Sequence, residues 1–204
     1  MRIVLQFCNS YALEEFVYTA DSAEGQEETR DIRLPSDRFH LKSDPVISLT
    51  ISSQGVTFNK NSSNVYFLIT NKSKAYKDTF DKDMFLTIVT ADREELKVFV
   101  YIGKETGMCF YQTERSRVIS LGSSLDQSIS CVDNPCLSGS HLLIKRSRDG
   151  GRINIKGREG IYLNERYVDQ MESASLSCGD VITAGGIRIL WMEEYIGIEK
   201  LYSE

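Results

Sequence analysis

The chain has 204 residues, with 24 Lys plus Arg against 29 Asp plus Glu and a formal net charge of −5. Divided after Glu105, it carries 13 cations against 16 acids before and 11 against 13 after, so neither half offers the basic surface that binding a phosphate backbone requires. Nucleic acid is thereby disfavoured as the main partner, while the length suits two domains of about 100 residues, drawn here as 1–105 and 106–204.

The N-terminus, MRIVLQFCNSYALEEF, places Glu14 and Glu15 where a signal peptide needs its apolar run, and no stretch approaches the ~20 apolar residues of a membrane span. These residues are expected on the cytosolic side of any membrane. Five cysteines, Cys8, Cys109, Cys131, Cys136 and Cys178, are odd in number and lack a C-x-x-C pair. A disulfide framework or a zinc site is therefore not expected, and a reducing compartment fits. Cys131 and Cys136 stand close enough to invite pairing, but two incidental thiols in one loop explain them better.

Alternation with period two runs through the chain. Ile3, Leu5 and Phe7 share one face, as do Ile47, Leu49 and Ile51, then Val65, Phe67 and Ile69, then Ile153 and Ile155, then Ile187, Ile189 and Trp191. Clusters of Gly, Asn, Asp and Ser separate these runs. No segment carries a capped 3.6-residue stripe, so the expected fold class is all-β, with short strands spaced as in sandwiches. The segment Asp21–Arg30 is polar and predicts a loop inside the first domain. Near Gly103–Gly107 the pattern breaks before resuming, which marks the domain boundary.

A weak internal repeat links the halves. DIRL at Asp31–Leu34, ISLTISSQGVTFNK at Ile47–Lys60 and the pair MFLTIVTA and LKVFVYI are followed, in the same order, by SISC, HLLIKRSRDGGRINI and VITAGGIRILW.

The second half holds the sharper signals: ISLGSS ending at Ser124, LSGSH ending at His141, GREGIYLNE ending at Glu165, and LSCGDVITAGGIRILW. In that order they resemble the forkhead-associated (FHA) domain, a β-sandwich whose loops at one end read phosphothreonine peptides. The resemblance gives Gly122, His141, Asn164, Gly179 and Asp180 structural roles. It makes Ser123, Ser138, Gly139, Ser140, Arg158, Glu159, Gly160 and Ile161 the candidate peptide-binding positions.

At these positions the chain departs from the family. An Arg normally follows the first glycine and grips the phosphate, but Ser123 follows Gly122 here. The Ser-Arg-x-His motif reads Ser138, Gly139, Ser140, His141, and Asn-Gly-Thr reads Glu159, Gly160, Ile161. Losing bidentate Arg contacts removes the strongest part of phosphate recognition. Ser138 can still donate to a phosphate or simply fasten its loop, and His141 can brace the loops from within.

Lys145, Arg146, Arg148, Arg152, Lys156 and Arg158 form a basic cluster around Asp149, Gly150 and Gly151. It could hold an acidic partner segment or lipid headgroups, but the polar face that any strand turns to water explains it better. Catalysis has little support. There is no Walker phosphate loop, and the two histidines, His40 and His141, stand without a spacing for a metal site or a nucleophile triad. No catalytic residue, metal or cofactor is implied.

Two tandem FHA-like domains, both poor in phosphate-binding residues, resemble the N-terminal region of the membrane-anchored FtsK/SpoIIIE-type ATPases of Firmicutes type VII secretion systems, the EssC/YukB group. The resemblance implies a non-catalytic scaffold at the cytoplasmic face of the bacterial plasma membrane, ahead of membrane spans and ATPase domains. Its partners would be other secretion components, namely a pseudokinase-like membrane component and a ubiquitin-like cytosolic component, or substrates. The alternative is a phosphothreonine-peptide reader that grips phosphate with Ser138, Ser140 and Arg158.

Overall fold

The computed structural model describes residues 1–19, 27–59, 62–63, 65–70, 79–103, 107–113, 118–132, 134, 136–147, 150–192 and 194–201. Arg148, Asp149 and the 21–26 part of the predicted first-domain loop lie outside them. The described chain is nearly all β, with one short helix, α1 (Ser36–Phe39). It divides into two compact units, Met1–Glu105 with Leu201–Glu204, and Thr106–Lys200.

In the first unit the strands are β1 (Arg2–Cys8), β2 (Leu13–Thr19), β3 (Glu28–Arg33), β4 (Val46–Ser52), β5 (Gly55–Phe58), β6 (Val65–Thr70), β7 (Thr79–Phe80), β8 (Met84–Thr90) and β9 (Glu95–Gly103). They form a five-stranded sheet in the order β2-β1-β9-β8-β6 and a four-stranded sheet in the order β3-β4-β5-β7. Residues Glu28–Arg30, read from sequence as loop, are the first half of β3, where Arg30 pairs with Leu49. Their polarity reflects a strand exposed at four of its first five positions rather than the absence of one.

Period two does what it should: Ile3, Leu5 and Phe7 from one sheet and Ile47, Leu49, Ile51, Val56 and Phe58 from the other enter a single apolar cluster. Each such side chain removed from water contributes roughly 1.5–3 kcal/mol, which makes this cluster the cohesion of the unit. The β1–β2 connection is tied by Asn9, whose Oδ1 accepts the N–H groups of Tyr11 and Ala12.

The second unit comprises β10 (Cys109–Gln112), β11 (Val118–Gly122), β12 (Ile129–Ser130), β13 (Leu142–Ser147), β14 (Gly150–Ile155), β15 (Ile161–Leu163), β16 (Arg166–Val168), β17 (Ser173–Leu176), β18 (Val181–Ala184), β19 (Ile187–Trp191) and β20 (Tyr195–Lys200). One sheet runs β10-β20-β19-β18-β15-β16 and the other β12-β11-β13-β14-β17. The two pack face to face: Trp191 of β19 is 1% exposed and lies so close to Gly151 of β14 that a Cβ there would sit 2.8 Å from the indole ring.

The hairpins β4–β5 and β13–β14 hold the same place in their sheets, as do β8–β9 and β18–β19. The matching is not in register with the sequence repeat throughout. The counterpart of β3 by sheet position is β11, whereas SISC contributes only β12, two residues running parallel to β11 at the edge. In the first unit the strand beside the closing hairpin is β1; in the second, the C-terminal strand β20 fills that place and β10 lies outside it.

Candidate functional site

Four connections meet at one end of the second sandwich. The Ser123 and Ser124 N–H groups donate to the Ser138 and Gly139 carbonyls at 3.0 and 3.1 Å, locking the segment after β11 to the segment before β13. This approach needs glycine at 122, because a Cβ there would overlap the Gly139 carbonyl. The Arg158 N–H then donates to Ser138 Oγ at 3.1 Å, drawing in the segment after β14. The turn between β18 and β19 joins them through Asn134, whose Nδ2 donates to the Gly185 carbonyl at 2.6 Å.

Ser123, Ser138, Gly139 and Arg158 are thus brought together, Arg158 exposed, with exposed Ser140 beside them. Ser123 turns its hydroxyl inward, donating to the Leu137 carbonyl at 3.2 Å. A Cβ at Gly139 would stand 2.7 Å from Ser124 Oγ. Of the remaining candidates, Glu159 is exposed, while the Gly160 N–H donates to the Tyr167 hydroxyl at 3.2 Å and the glycine lies against the Tyr167 ring. Ile161 corrects the sequence expectation: it is 0% exposed, because it opens β15 at an inward-facing position and joins the core. It presents no side chain to a ligand.

His141 sits under these loops. It is 1% exposed, and its Nδ1 accepts the Ser138 N–H at 3.2 Å. The His141 backbone is saturated as well: its N–H donates to Leu121, and its carbonyl accepts from Lys156 and Gly157. Gly157 leaves the ring its space, since any side chain there would overlap the imidazole. Burial dominates the ring's titration and lowers its pKa below the ordinary histidine value; the Gly160 backbone and the Glu159 carboxylate act in the opposite sense and are weaker. A neutral ring accepting at Nδ1 carries its hydrogen on Nε2.

Asn164, Gly179 and Asp180 lie elsewhere. Because Leu163 pairs with Ile182 and Tyr162 with Thr183, these three stand at the far end of β15 and β18, about 10 Å along the strand from Ile161 at ~3.3 Å per residue. Asn164 and Glu165 both have positive φ, 48° and 69°, as the two-residue turn between β15 and β16 demands. The Asn164 amide donates to Asp180 Oδ1 at 2.8 Å and accepts the Val181 N–H at 2.9 Å, while Asp180 Oδ2 accepts the Ser177 N–H at 2.7 Å. This is a turn-to-turn clasp.

The basic cluster divides. Lys145 and Arg152 face each other across β13 and β14, and Lys156 and Arg158 continue along the chain toward Ser138. Arg146 turns away, its guanidinium bonded to the Thr113 carbonyl and hydroxyl at 3.1 and 3.0 Å. Sequence reasoning missed Gly157, Tyr167 and Asn134 as builders of the site. Asn134 acts through a contact 51 residues away, Tyr167 through its hydroxyl across the β15–β16 hairpin and Gly157 through lack of a side chain, and none of these leaves a periodic trace.

Comparison with known proteins agrees with this geometry. Residues 119–185 match the family model of the FHA domain. No curated protein matches the chain. Among solved structures, the N-terminal FHA domain from EssC, a component of the bacterial type VII secretion apparatus, superposes with a TM-score of 0.59 at 9% identity, covering 96% of this chain and 90% of that one. The FHA domain of an Arabidopsis thaliana hypothetical protein gives 0.33 at 26% identity, covering 45% and 72%. The FHA-2 domain from a Mycobacterium tuberculosis ABC transporter gives 0.35 at 23%, covering 48% and 82%. The likeness to EssC is one of fold and extends over both units. By its motif order, its two-sheet topology and the match over residues 119–185, the second unit carries an FHA domain.

Proposed function

We propose that this chain is a non-catalytic protein-interaction module whose binding does not depend on phosphothreonine, serving as a scaffold in a membrane-anchored type VII secretion ATPase. FHA domains are interaction modules, and the fold likeness to the EssC N-terminal domain over nearly the whole chain supports the secretion context. The correspondence of hairpin positions supports an FHA-like first unit. The ATPase activity, ATP binding and membrane anchor would belong to other parts of the full-length protein. The chain would then lie on the cytoplasmic side of the plasma membrane and contact a pseudokinase-like membrane component, a ubiquitin-like cytosolic component or substrates.

One observation carries the phosphate independence: the two positions that would supply phosphate-gripping arginines hold Ser123 and Gly139, and both are absorbed into loop closure. Without those guanidiniums, affinity comes from surface complementarity and backbone pairing. A second reading rests on Arg158, exposed and tied by its backbone to Ser138, as a substitute grip. An NMR titration of the chain with a phosphothreonine peptide library and its unphosphorylated counterpart separates the two. Equal, or equally absent, shifts at Ser138, Ser140 and Arg158 are expected. Saturable phosphate-dependent shifts there, abolished in Arg158→Ala, would establish the reader instead.

A further inference from the structure

The loops around Ser138 occupy one end of the second sandwich, and the outer face of its five-stranded sheet remains to be explained. Strand register places Val118, Lys145, Arg152 and Ser175 in one row across four strands. The next row, from Ser120 to Ser173, is uncharged. No carboxylate stands at these outward positions, although the chain as a whole has a net charge of −5.

Lys145 directly opposite Arg152 is a like-charge pair with Cβ atoms about 5 Å apart, an arrangement that costs stability. The neighbours on either side of the pair, Val118 and Ser175, carry no compensating charge. Arg152 is held flat on the face, donating from Nε and Nη2 to Ser173 Oγ at 3.3 and 2.8 Å. From Arg152 the outward positions of β14 lead through Asn154 to exposed Lys156, and the chain then reaches exposed Arg158 beside Ser138. Glu159 and Glu172, which follow β14 and precede β17, lie beyond the strand ends, and Asp149, between β13 and β14, lies outside the described residues.

We propose that this face docks an extended acidic segment of a protein partner, lying along β14 with carboxylates over the Lys145–Arg152 pair and over Lys156. Same-face side chains of an extended chain recur every two residues, about 6.6 Å. Two carboxylates four residues apart in the partner therefore span the distance from Arg152 to Lys156. A membrane fits less well, because the face has no aromatic side chain, its apolar ones are only exposed Val118 and half-buried Leu143, and three cations supply only about 3 kcal/mol of headgroup attraction. The proposal rests on the chain being an interaction module and names the chemistry of one partner segment.

The test is an NMR titration of the whole chain with a ten-residue peptide alternating Glu and Ser. Shifts are expected at Lys145, Arg152 and Ser175, with affinity falling about tenfold or more as salt rises several-fold above physiological strength. The double variant K145E/R152E should lose this binding while its Trp191 emission stays that of the folded unit, and Arg166→Glu, on the β15–β16 hairpin, should keep it. No shifts, or shifts confined to other surfaces, would overturn the proposal. So would binding to phosphatidylglycerol vesicles that the peptide does not compete. Either failure leaves the phosphothreonine comparison at Ser138 and Ser140 standing as a separate result.

Discussion

The Ser138 N–H donates to Nδ1 of His141 across 3.2 Å, so the loop that carries the candidate binding serine is held by a histidine that must stay neutral. An imidazolium has no acceptor at Nδ1, and protonation would set two N–H groups against each other. His141 is buried, and burial holds its pKa below the ordinary value of 6.5. The unfolded chain therefore binds the proton first, and the stability this neutral ring contributes is present above about pH 6.5 and lost as pH falls through the lower folded-state value. Urea unfolding followed by Trp191, the chain's single tryptophan and buried in this unit, should show falling stability between pH 7.5 and 5.5. His141→Gln should be less stable at pH 7.5 by about 1–3 kcal/mol and show a shallower decline. An equal decline in both proteins would place the pH dependence elsewhere.

Gly122 faces the Gly139 carbonyl without room for a Cβ. Gly122→Ala must push the β11 end away from the 138–140 segment, breaking the Ser123 and Ser124 bonds to Ser138 and Gly139. A loss of about 2–4 kcal/mol in the second unit is expected from overpacking plus lost hydrogen bonds. Amide exchange should quicken at Ser123 and Ser124 first; unchanged protection there would contradict the close approach.

Ser138 Oγ serves the fold by accepting the Arg158 N–H. Ser138→Ala should cost about 0.5–1.5 kcal/mol by unfolding measurements and release the 156–160 segment. If binding to an unphosphorylated partner survives in this variant at unchanged affinity, the serine's role is architectural.

Asn164 combines a left-handed backbone, φ 48°, with two side-chain bonds to the Asp180–Val181 turn. Asn164→Ala should lose about 2 kcal/mol, from backbone strain and lost bonds together, and Asn164→Gly should recover the strain component of about 1 kcal/mol. Equal losses in the two variants would mean that the turn conformation contributes nothing.

Thiol reactivity offers a check on burial. Cys109 and Cys178 are exposed, whereas Cys8 and Cys131 are buried. A maleimide probe should label the first two rapidly in the native protein and the last two only after unfolding. Fast native labelling of Cys131 would show the loop above β12 opening.

Period-two alternation in runs such as Ile47–Ile51 and Ile187–Trp191 determined by itself that the chain is built of strands, since only that spacing places every apolar side chain on one face of a sheet. The motif order from Gly122 to Asp180 likewise determined the FHA character of the second half, because turn chemistry at Asn164 and Gly179–Asp180 is local. Glu28–Arg30 showed the limit of local rules: an exposed edge strand carries polar residues on both faces and reads as loop until its pairing partner, β4, is known. Only the tertiary structure removed Ile161 from the candidate site, placed β20 where the first unit has β1, and set Lys145 against Arg152 on one face. Those outcomes depend on which strands lie side by side and in what register, and register follows from packing two sheets against each other across the whole unit.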